Sequence, residues 1–464
     1  MRSLRQILPL ALLNQSSGPE IHVRSCLYLG DRVRNTLKVS SIQYWQLEVD
    51  FILAVGRELF SSCNVFKRSI LEMDEVHKVV TGFSLIAETG LFTQKDPSTK
   101  SLSNPWPVGV TLAALTMVQI ATFDALVSLG IKPTAIVGHS AGETALLYAS
   151  GAGPKAMAVE LAIARARAAI IAERSEGAMA AVSCSSEQAE EIISQIRSEQ
   201  GKVNLDVGCY NAPSAITLSG LSSDIDLAVE RAKAAGFFAK RLNTTMAVHS
   251  KLMDPCRDEY MRLVADIFDR YPSQPPKITT YSTESGRRKT DKYSAEYYWS
   301  GTRGPVRFTD AIQRIIQEMG SPDFLEIGPH PALASYLVTL GGESTTVACT
   351  MRRPKGNQGE VVSFLDALGK LAVVGHGCID FNILNGCPAP DATQLPAYPF
   401  SRKRVPIYPI SAAIKRIHQH RNGPLNYDQL RINTQTHPYL AQHVIHGEPI
   451  MPAAGFIEMV HAHQ

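Results

Sequence analysis

A serine between closely spaced glycines is the strongest chemical signal in the sequence. Residues Gly138-His-Ser-Ala-Gly142 fit the pattern G-x-S-x-G; the β-branched run Thr134-Ala-Ile-Val137 precedes them and Glu143-Thr-Ala-Leu-Leu-Tyr148 follows. A strand, a tight turn and a helix in this order expose a serine hydroxyl at the end of a sheet. We therefore predict that Ser140 is a nucleophile; the alternative is a glycine-rich turn with a capping serine.

A serine nucleophile needs a base and a site for the developing oxyanion. The best-placed histidine is His249, in Thr245-Met-Ala-Val-His-Ser-Lys-Leu-Met-Asp254, at the end of an apolar run. The N–H of Ala141, at the start of the following helix, is the expected oxyanion donor, because helix N-termini carry free N–H groups and a positive dipole end. On spacing alone, His249 could equally be a histidine without a catalytic role.

Composition narrows the partners and the compartment. The 464 residues are 45% hydrophobic and carry a net charge of +3, so a core can form and no strong field favours nucleic acid or an anionic membrane. The eight cysteines show no CxxC spacing, so we expect neither a metal site nor a disulfide framework. The apolar stretch 108–131 contains Gln119 and Asp124, which argue against a membrane span. We expect a soluble cytoplasmic protein.

The elements around these residues indicate an α/β protein with a small inserted unit. Val108–Leu129 is apolar on nearly all sides, as in a buried helix, and ends at Gly130. Residues 178–245 predict a separate α+β unit with strands over 179–183 and 216–219 and a helix over 223–235. A further strand is expected at 324–327, and proline and basic residues from about 355 to 430 favour a linker.

Three ordered motifs give the sequence a family resemblance. Gly138-His-Ser-Ala-Gly-Glu143, Ala247-Val-His-Ser250 and Phe324-Leu-Glu-Ile-Gly-Pro-His330 resemble the acyltransferase domain of type I polyketide and fatty-acid synthases, the malonyl-CoA:acyl-carrier-protein transacylase family. The resemblance runs from about Gly56 to Arg353. It implies an α/β fold with a hydrolase-like parallel-sheet core, an inserted ferredoxin-like subdomain, and a C-terminal linker with a partial hotdog segment.

The resemblance also implies a mechanism and partners. Ser140 would attack the thioester of malonyl-CoA with His249 as base, and the phosphopantetheine thiol of an acyl carrier protein would then accept the acyl group. A backbone carbonyl near Gly304 would orient His249, and His139 would line the pocket. No bound cofactor and no metal are expected. The other partners would be the ketosynthase and dehydratase domains of a polyketide synthase, and neither nucleic acid nor a membrane is among them.

Residues around the acyl group carry the expected specificity. By similarity, Arg165 would pair with the free carboxylate of a malonyl-type substrate, since guanidinium and carboxylate pair bidentately; Arg167 is a weaker candidate, and a solvated helix face is the alternative. Met246 and Val248 precede the base as pocket residues. Valine at 248 matches neither the malonyl nor the methylmalonyl type of the family, so that choice stays open, with malonyl favoured.

The sequence departs from the family near its start. The GQGxQ loop, whose backbone N–H would share the oxyanion hole with Ala141, has no counterpart; Ser40-Ser-Ile-Gln-Tyr-Trp-Gln46 stands in its place. A deletion or a misjoined gene model would explain this. Loss of one oxyanion donor typically costs roughly 100- to 1,000-fold in turnover. The segment Trp299-Ser-Gly-Thr-Arg-Gly-Pro305 is also shorter than in the family.

The C-terminal segment resembles a second domain. His443, Gly447 and Pro452 lie in an H-x-x-x-G-x-x-x-x-P pattern similar to the opening of a dehydratase or product-template domain. His443 would be its base, but the partner acid of such a domain would lie in a second hotdog, so we expect no dehydration. A Gly/Pro turn with a surface histidine is the alternative.

Together these expectations describe a fragment of a larger synthase. The predicted segments are a ketosynthase–acyltransferase linker remnant (1–50), the acyltransferase domain (51–355, with the subdomain at 178–245), a linker (356–430) and a truncated dehydratase or product-template start (431–464). Two other hypotheses remain: a serine esterase or hydrolase, which predicts an Asp or Glu orienting the base, and a catalytically impaired remnant.

Overall fold

A computed structural model describes residues 56–93, 108–342, 344–352, 359–385, 443–445 and 447–450. The chain divides into two units, Met1–Ala389 and Pro390–Gln464, which are described separately. The predicted linker remnant at 1–50, the segment replacing the GQGxQ loop and Pro452 lie outside the described residues.

More than half of the described residues of the first unit lie in helices. They are α1 Arg57–Ser62, α2 Asn64–Thr81, α3 Leu85–Thr89, α4 Val108–Ser128, α5 Gly142–Ala149, α6 Lys155–Ala172, α7 Ser186–Gln200, α8 Ser222–Ala234, α9 Arg257–Arg270, α10 Ala295–Arg303, α11 Phe308–Met319, α12 Ala334–Gly341, α13 Glu360–Val373 and α14 Phe381–Asn385. The strands are β1 Ala135–Val137, β2 Gly177–Val182, β3 Leu205–Ala212, β4 Ala215–Leu221, β5 Ala239–Arg241, β6 Thr279–Ser282, β7 Arg287–Lys289, β8 Val306–Arg307, β9 Phe324–Glu326 and β10 Val347–Cys349.

Helix α4 forms the centre of the α/β core, as the sequence predicts. It packs between α2 and α6, and most of its side chains are buried. Of the described helices, it is the one long and apolar enough to cross a membrane by length and composition, yet 72% of its most apolar window is buried in the fold. A helix that is apolar all round and covered on all sides belongs to a protein core.

A pair of short parallel strands leads into the turn that contains Ser140. Strand β1 pairs in parallel with β6, in the register Ile136 to Thr280, and β7 adds an antiparallel edge to β6. Strands β9 and β10 form a second parallel pair. A parallel strand that is covered on both faces has a short sequence of consecutive apolar residues. Strand β1 fits this pattern, because all three of its residues are buried.

The inserted unit has the ferredoxin-like βαββαβ order. Its strands lie in the order β5-β2-β4-β3 and are antiparallel to their neighbours, and β8 extends the sheet by pairing in parallel with β3. Helix α7 begins at a capping box, in which Ser185 accepts from Gln188 N and the Gln188 side chain accepts from Ser185 N. The buried residues of α7 and α8 pack over one face of this sheet, which gives the insert a core of its own.

Residues 360–373 correct the sequence-based linker boundary. The sequence predicts a linker from residue 356, but residues 360–373 form α13, which packs against α1 and β10. Val361, Phe364, Leu368 and Leu371 are buried in the same core as α4. These residues recur every three or four positions, which is the period of an amphipathic helix, and the prolines that suggested a linker come only after it.

In the second unit, the described residues form a small hairpin. Strands β11 (Val444–Ile445) and β12 (Glu448–Pro449) are antiparallel, and Gly447 in the turn has φ 85°. Glycine suits this turn because positive φ costs it little. His443 is exposed, and its Nδ1 lies 2.8 Å from Ile450 O.

Candidate active site

The predicted strand, turn and helix are present around Ser140. Strand β1 ends at Val137, Ser140 stands in the turn with φ 51°, and α5 begins at Gly142. Gly138 allows this close turn: a Cβ there would lie 2.8 Å from Glu143 N and 2.8 Å from Gly142 C, both backbone atoms. A sharp turn with a non-glycine residue at positive φ is the geometry expected of a nucleophile elbow.

Ser140 and His249 are in direct contact. The distance from Ser140 Oγ to His249 Nε2 is 2.7 Å, although 109 residues separate the two in the sequence. Both side chains are almost fully buried, with 4% and 2% of their surface exposed. This is the distance a general base needs to take a serine proton.

Two carbonyls hold His249 in this position. His249 Nδ1 lies 2.9 Å from Gly304 O, and His249 N donates to Thr302 O at 3.0 Å. Because a carbonyl only accepts hydrogen bonds, Nδ1 carries the proton and Nε2 is left to accept from Ser140. Gly304 O thus lies where the sequence analysis expected an orienting carbonyl, and Thr302 was not anticipated.

Arg165 reaches Ser140 from α6. Its Nη2 donates to Ser140 Oγ at 3.3 Å, and 5% of the residue is exposed. Within the described residues, no carboxylate lies within 4 Å of this guanidinium. Arg167, the weaker candidate, is exposed and donates to Val80 O instead. A buried arginine without an ionic partner is costly, so its place beside Ser140 indicates a site for an anionic group.

Burial and nearby positive charge keep the His249 imidazole neutral. Desolvation, with smaller contributions from the positive charge of Arg165 and from His139, lowers the pKa of His249 to about 3, while its bond to Gly304 acts in the opposite direction. Burial also lowers the pKa of Arg165. Since His249 is uncharged at neutral pH, it can accept the Ser140 proton.

The other predicted pocket residues are buried around this centre. His139 Nε2 lies 2.9 Å from Asn211 Oδ1, and Asn211 Nδ2 donates to Thr217 Oγ1 at 3.2 Å. Met246 and Val248 are each 2% exposed, and Val248 O accepts from Ser219 Oγ at 2.6 Å. Asn211 was not predicted; its place in a strand of the insert carries no local sequence signal.

Ala141 lies between the nucleophile and the first residue of α5. Gly142 N, Glu143 N and Thr144 N bond back to the carbonyls of residues 139 to 141, and among the described residues nothing accepts from Ala141 N–H. A free N–H next to the nucleophile can serve an oxyanion. The second donor expected from the family belongs to a segment outside the described residues.

Glu143, in the first turn of α5, lies close to Ser140 and has no role predicted from the sequence. It accepts hydrogen bonds from Thr283 N at 2.7 Å, Thr283 Oγ1 at 2.9 Å and Tyr297 OH at 2.6 Å. Burial raises its pKa to about 7 despite these bonds. Its position directly after the G-x-S-x-G pattern could have indicated a role near Ser140. Its partners Thr283 and Tyr297 could not be predicted, because they lie far from it in the sequence.

The whole arrangement suits acyl chemistry. Ser140 is placed to attack a carbonyl carbon while His249 takes its proton, and the neighbouring Ala141 N–H has no acceptor among the described residues. Ser140, His249, Gly304 and Arg165 are brought together as expected. His443 and Gly447 belong to the second unit, and Pro452 lies outside the described residues.

Sequence comparisons identify the same two segments. Residues 53–377 match the acyl transferase domain family, and residues 425–463 match the polyketide synthase dehydratase domain family. A highly reducing polyketide synthase of Strobilurus tenacellus is 42% identical over 415 residues, which cover 88% of this chain and 15% of that protein. The squalestatin hexaketide synthase of a Phoma species is 28% identical over 436 residues, 88% of this chain and 16% of that protein. The chain thus spans about a sixth of the length of these relatives.

Solved structures agree with this assignment. The acyltransferase domain from the second module of the salinomycin polyketide synthase has a TM-score of 0.64 and 25% identity, over 76% of each chain. A loading acyltransferase of the avermectin polyketide synthase has a TM-score of 0.62 and 25% identity, over 72% of this chain and 99% of that one. With the α/β core, the ferredoxin-like insert and the nucleophile elbow, these matches show that the chain belongs to the acyl transferase domain family of polyketide synthases and carries the start of a dehydratase domain after it.

Proposed function

We propose that the chain transfers a malonyl-type acyl group from coenzyme A to the phosphopantetheine thiol of an acyl carrier protein, through an ester on Ser140. Family membership supports acyl transfer in polyketide biosynthesis. The proposal adds to this the direction of transfer, the malonyl-type acyl group and the carrier protein as acceptor.

One observation carries the choice of acyl group. Arg165 is 5% exposed, lies 3.3 Å from the nucleophile and has no carboxylate within 4 Å among the described residues. A malonyl group bound as a thioester presents a free carboxylate about two bonds from the reacting carbonyl. Pairing of that carboxylate with Arg165 would offset the cost of the buried guanidinium, whereas an acetyl group has no charge to offer.

In the first half-reaction, Ser140 Oγ attacks the thioester carbonyl carbon and His249 Nε2 accepts the hydroxyl proton. The C–S bond then breaks, and His249 returns the proton to the departing coenzyme A thiol. In the second half-reaction, His249 takes the proton of the carrier thiol, sulfur attacks the ester carbonyl, and the C–O bond breaks as Ser140 regains its proton. Because burial lowers the pKa of His249, the imidazole is neutral before each half-reaction and can accept the hydroxyl or thiol proton.

The orientation of the base weighs against the esterase hypothesis. That hypothesis expects an Asp or Glu on His249 Nδ1, but the atom found there is Gly304 O. The impaired-remnant hypothesis rests on the loss of the oxyanion donor that the GQGxQ loop would supply. A measurement of activity distinguishes it from the proposed transfer.

Intact mass after incubation with malonyl-CoA tests the proposal. We expect an increase by one malonyl group in wild-type chain and none in Ser140→Ala, because only Ser140 carries the ester. Ester turnover that depends on Ser140 without a stable adduct would instead favour the hydrolase. No adduct and no turnover from folded protein would favour the impaired remnant.

A further inference from the structure

The Glu143 carboxylate joins three separate segments beneath the nucleophile. It lies in the first turn of α5 and is 5% exposed. Thr283, just after β6, gives it two hydrogen bonds, and Thr283 Oγ1 also lies 2.8 Å from Gly138 O, in the nucleophile turn. Tyr297 of α10 gives it a third, at 2.6 Å. The carboxylate therefore fixes α5 and the turn of Ser140 against both β6 and α10.

Helix α10 leads directly to the catalytic base. Tyr297 lies in its first turn, and Tyr298 OH lies 3.5 Å from Glu143 O. At the other end of the helix, Thr302 O and Gly304 O hold the backbone and the ring of His249. One short helix thus connects the carboxylate on the nucleophile's helix to the carbonyls that orient the base.

We propose that Glu143 is a positioning residue: its bonds to Tyr297 and Thr283 set α10 relative to the nucleophile turn, and so align His249 Nε2 with Ser140 Oγ. This inference deepens the proposed acyl transfer and rests on the same Ser–His pair. Loss of the carboxylate would let α10 shift, and displacement of a catalytic group by about 1 Å can cost on the order of 100-fold in rate.

The charge state of Glu143 gives the proposal a distinctive pH signature. Charge-assisted hydrogen bonds are roughly twice as strong as neutral ones. Protonation of one Glu143 oxygen turns it into a donor and leaves the other as a weaker, neutral acceptor, so the bonds from Thr283 and Tyr297 should weaken together. The titratable groups that act on this carboxyl are Glu284, Lys289, Tyr293, Tyr297, Tyr298 and Arg165. Burial raises the Glu143 pKa to about 7, so alignment should weaken as pH falls below about 7. His249 does not contribute there, since its pKa lies near 3.

Glu326 offers a matched control. It is buried, its pKa is also raised to about 7 by burial, and it accepts from Ala332 N at 2.8 Å and Leu333 N at 3.0 Å. Its carboxylate contacts lie at the loop after β9 and at Cys349 Sγ of β10, 3.6 Å away, and among the described residues none of its hydrogen bonds reaches α10 or His249. Glu326→Gln therefore imposes a similar loss of buried charge without touching the proposed linkage.

The test measures the rate at which a fluorophosphonate phosphonylates Ser140, by intact mass from pH 5.5 to 8.5. This probe reports the nucleophile and its base whichever acyl group the site accepts, so a failure of the malonyl proposal remains distinguishable. We expect wild type to slow as pH falls below about 7. Glu143→Gln and Tyr297→Phe should react roughly 10- to 100-fold more slowly at pH 8, and Glu143→Gln should lose the acid limb.

Glu326→Gln should keep the acid limb and stay within about twofold of wild type. The proposal is overturned if Glu143→Gln reacts like wild type, if Glu326→Gln is slowed equally, or if wild-type Ser140 does not react at all. Thermal unfolding of each variant identifies any that fail to fold, and Tyr297→Phe, which keeps the ring, then provides the deciding comparison.

Discussion

Ser140 Oγ and His249 Nε2 meet at 2.7 Å, and both residues have positive φ, 51° and 66°. Each such backbone costs on the order of 1–3 kcal/mol in a residue other than glycine. Surrounding bonds hold the strain, among them His249 N to Thr302 O at 3.0 Å. Strain on both members of the same contact is consistent with a geometry kept for chemistry.

Arg165→Ala should discriminate between acyl groups. Hydrogen bonds to charged groups contribute about 1.5–3 kcal/mol, so we expect malonyl loading from malonyl-CoA to fall roughly 10- to 100-fold. Loading of acetyl from acetyl-CoA should change far less, since acetyl lacks the carboxylate. Initial rates of adduct formation measured by mass provide the comparison.

Arg167→Ala is the matched control for that experiment, because Arg167 is exposed on the same helix and donates to Val80 O rather than to Ser140. Equal losses for malonyl and acetyl in Arg165→Ala would show that the arginine has no role in recognising the carboxylate.

The pKa of His249 should lie far below that of an ordinary histidine and should depend on the charge of Arg165. Its pKa is lowered to about 3 from 6.5, by burial first and by the Arg165 charge second. We therefore expect the imidazole to stay neutral between pH 5 and 8, and its pKa to rise in Arg165→Ala. Side-chain NMR of the histidines, with His249→Gln to assign the signal, measures this. A wild-type His249 that titrates near pH 6.5 would contradict the buried, desolvated site.

Gly138→Ala should damage the nucleophile turn. The added Cβ would lie 2.8 Å from backbone atoms of Gly142 and Glu143, which cannot move without displacing α5. Overpacking of this kind costs about 1–3 kcal/mol, so the midpoint of thermal unfolding and the phosphonylation rate of Ser140 should both fall.

Gly369→Ala is its control, because Gly369 lies inside α13 with nothing within 4 Å of the added Cβ. Alanine favours helix over glycine by about 0.5–1 kcal/mol, so this variant should be unchanged or more stable. If both variants behaved alike, crowding at Gly138 would not be the cause.

Asp124 should stabilise the packing of four helices. Its carboxylate accepts from Ser69 Oγ at 2.7 Å, Tyr148 OH at 2.8 Å and Lys155 Nζ at 2.7 Å. Asp124→Ala removes the acceptor of the Ser69 and Tyr148 hydroxyls and leaves Lys155 paired with Glu72 alone. We expect a loss of about 2–4 kcal/mol in the free energy of unfolding. Urea denaturation provides the measurement.

Glu72, the other carboxylate on Lys155, is half exposed. Glu72→Ala should therefore cost less than about 1 kcal/mol. A cost for Asp124→Ala no larger than that of Glu72→Ala would mean that the network adds little to stability.

The sequence allowed prediction wherever chemistry depends on local pattern. Ser140 lies in a turn whose glycines and flanking elements are contiguous, and α4 shows its burial in its composition. The prediction that His249 contacts Ser140 depended on the family resemblance, because 109 residues separate the two in the sequence. The links from Glu143 to Thr283 and Tyr297, and from His139 to Asn211, were not predicted, because they depend on how distant segments pack. The α13 helix was not predicted, because the prolines that follow it led to the prediction of a linker over the whole region.

The fate of the acyl group on Ser140 tests the central claim most directly. After loading with malonyl-CoA and removal of excess reagent, the adduct can be followed by intact mass with and without a phosphopantetheinylated carrier protein. We expect the carrier to remove the malonyl group much faster than buffer alone and to gain the same mass, with no adduct in Ser140→Ala. An adduct lost to water at the same rate with and without carrier would contradict acyl transfer as the function of this site.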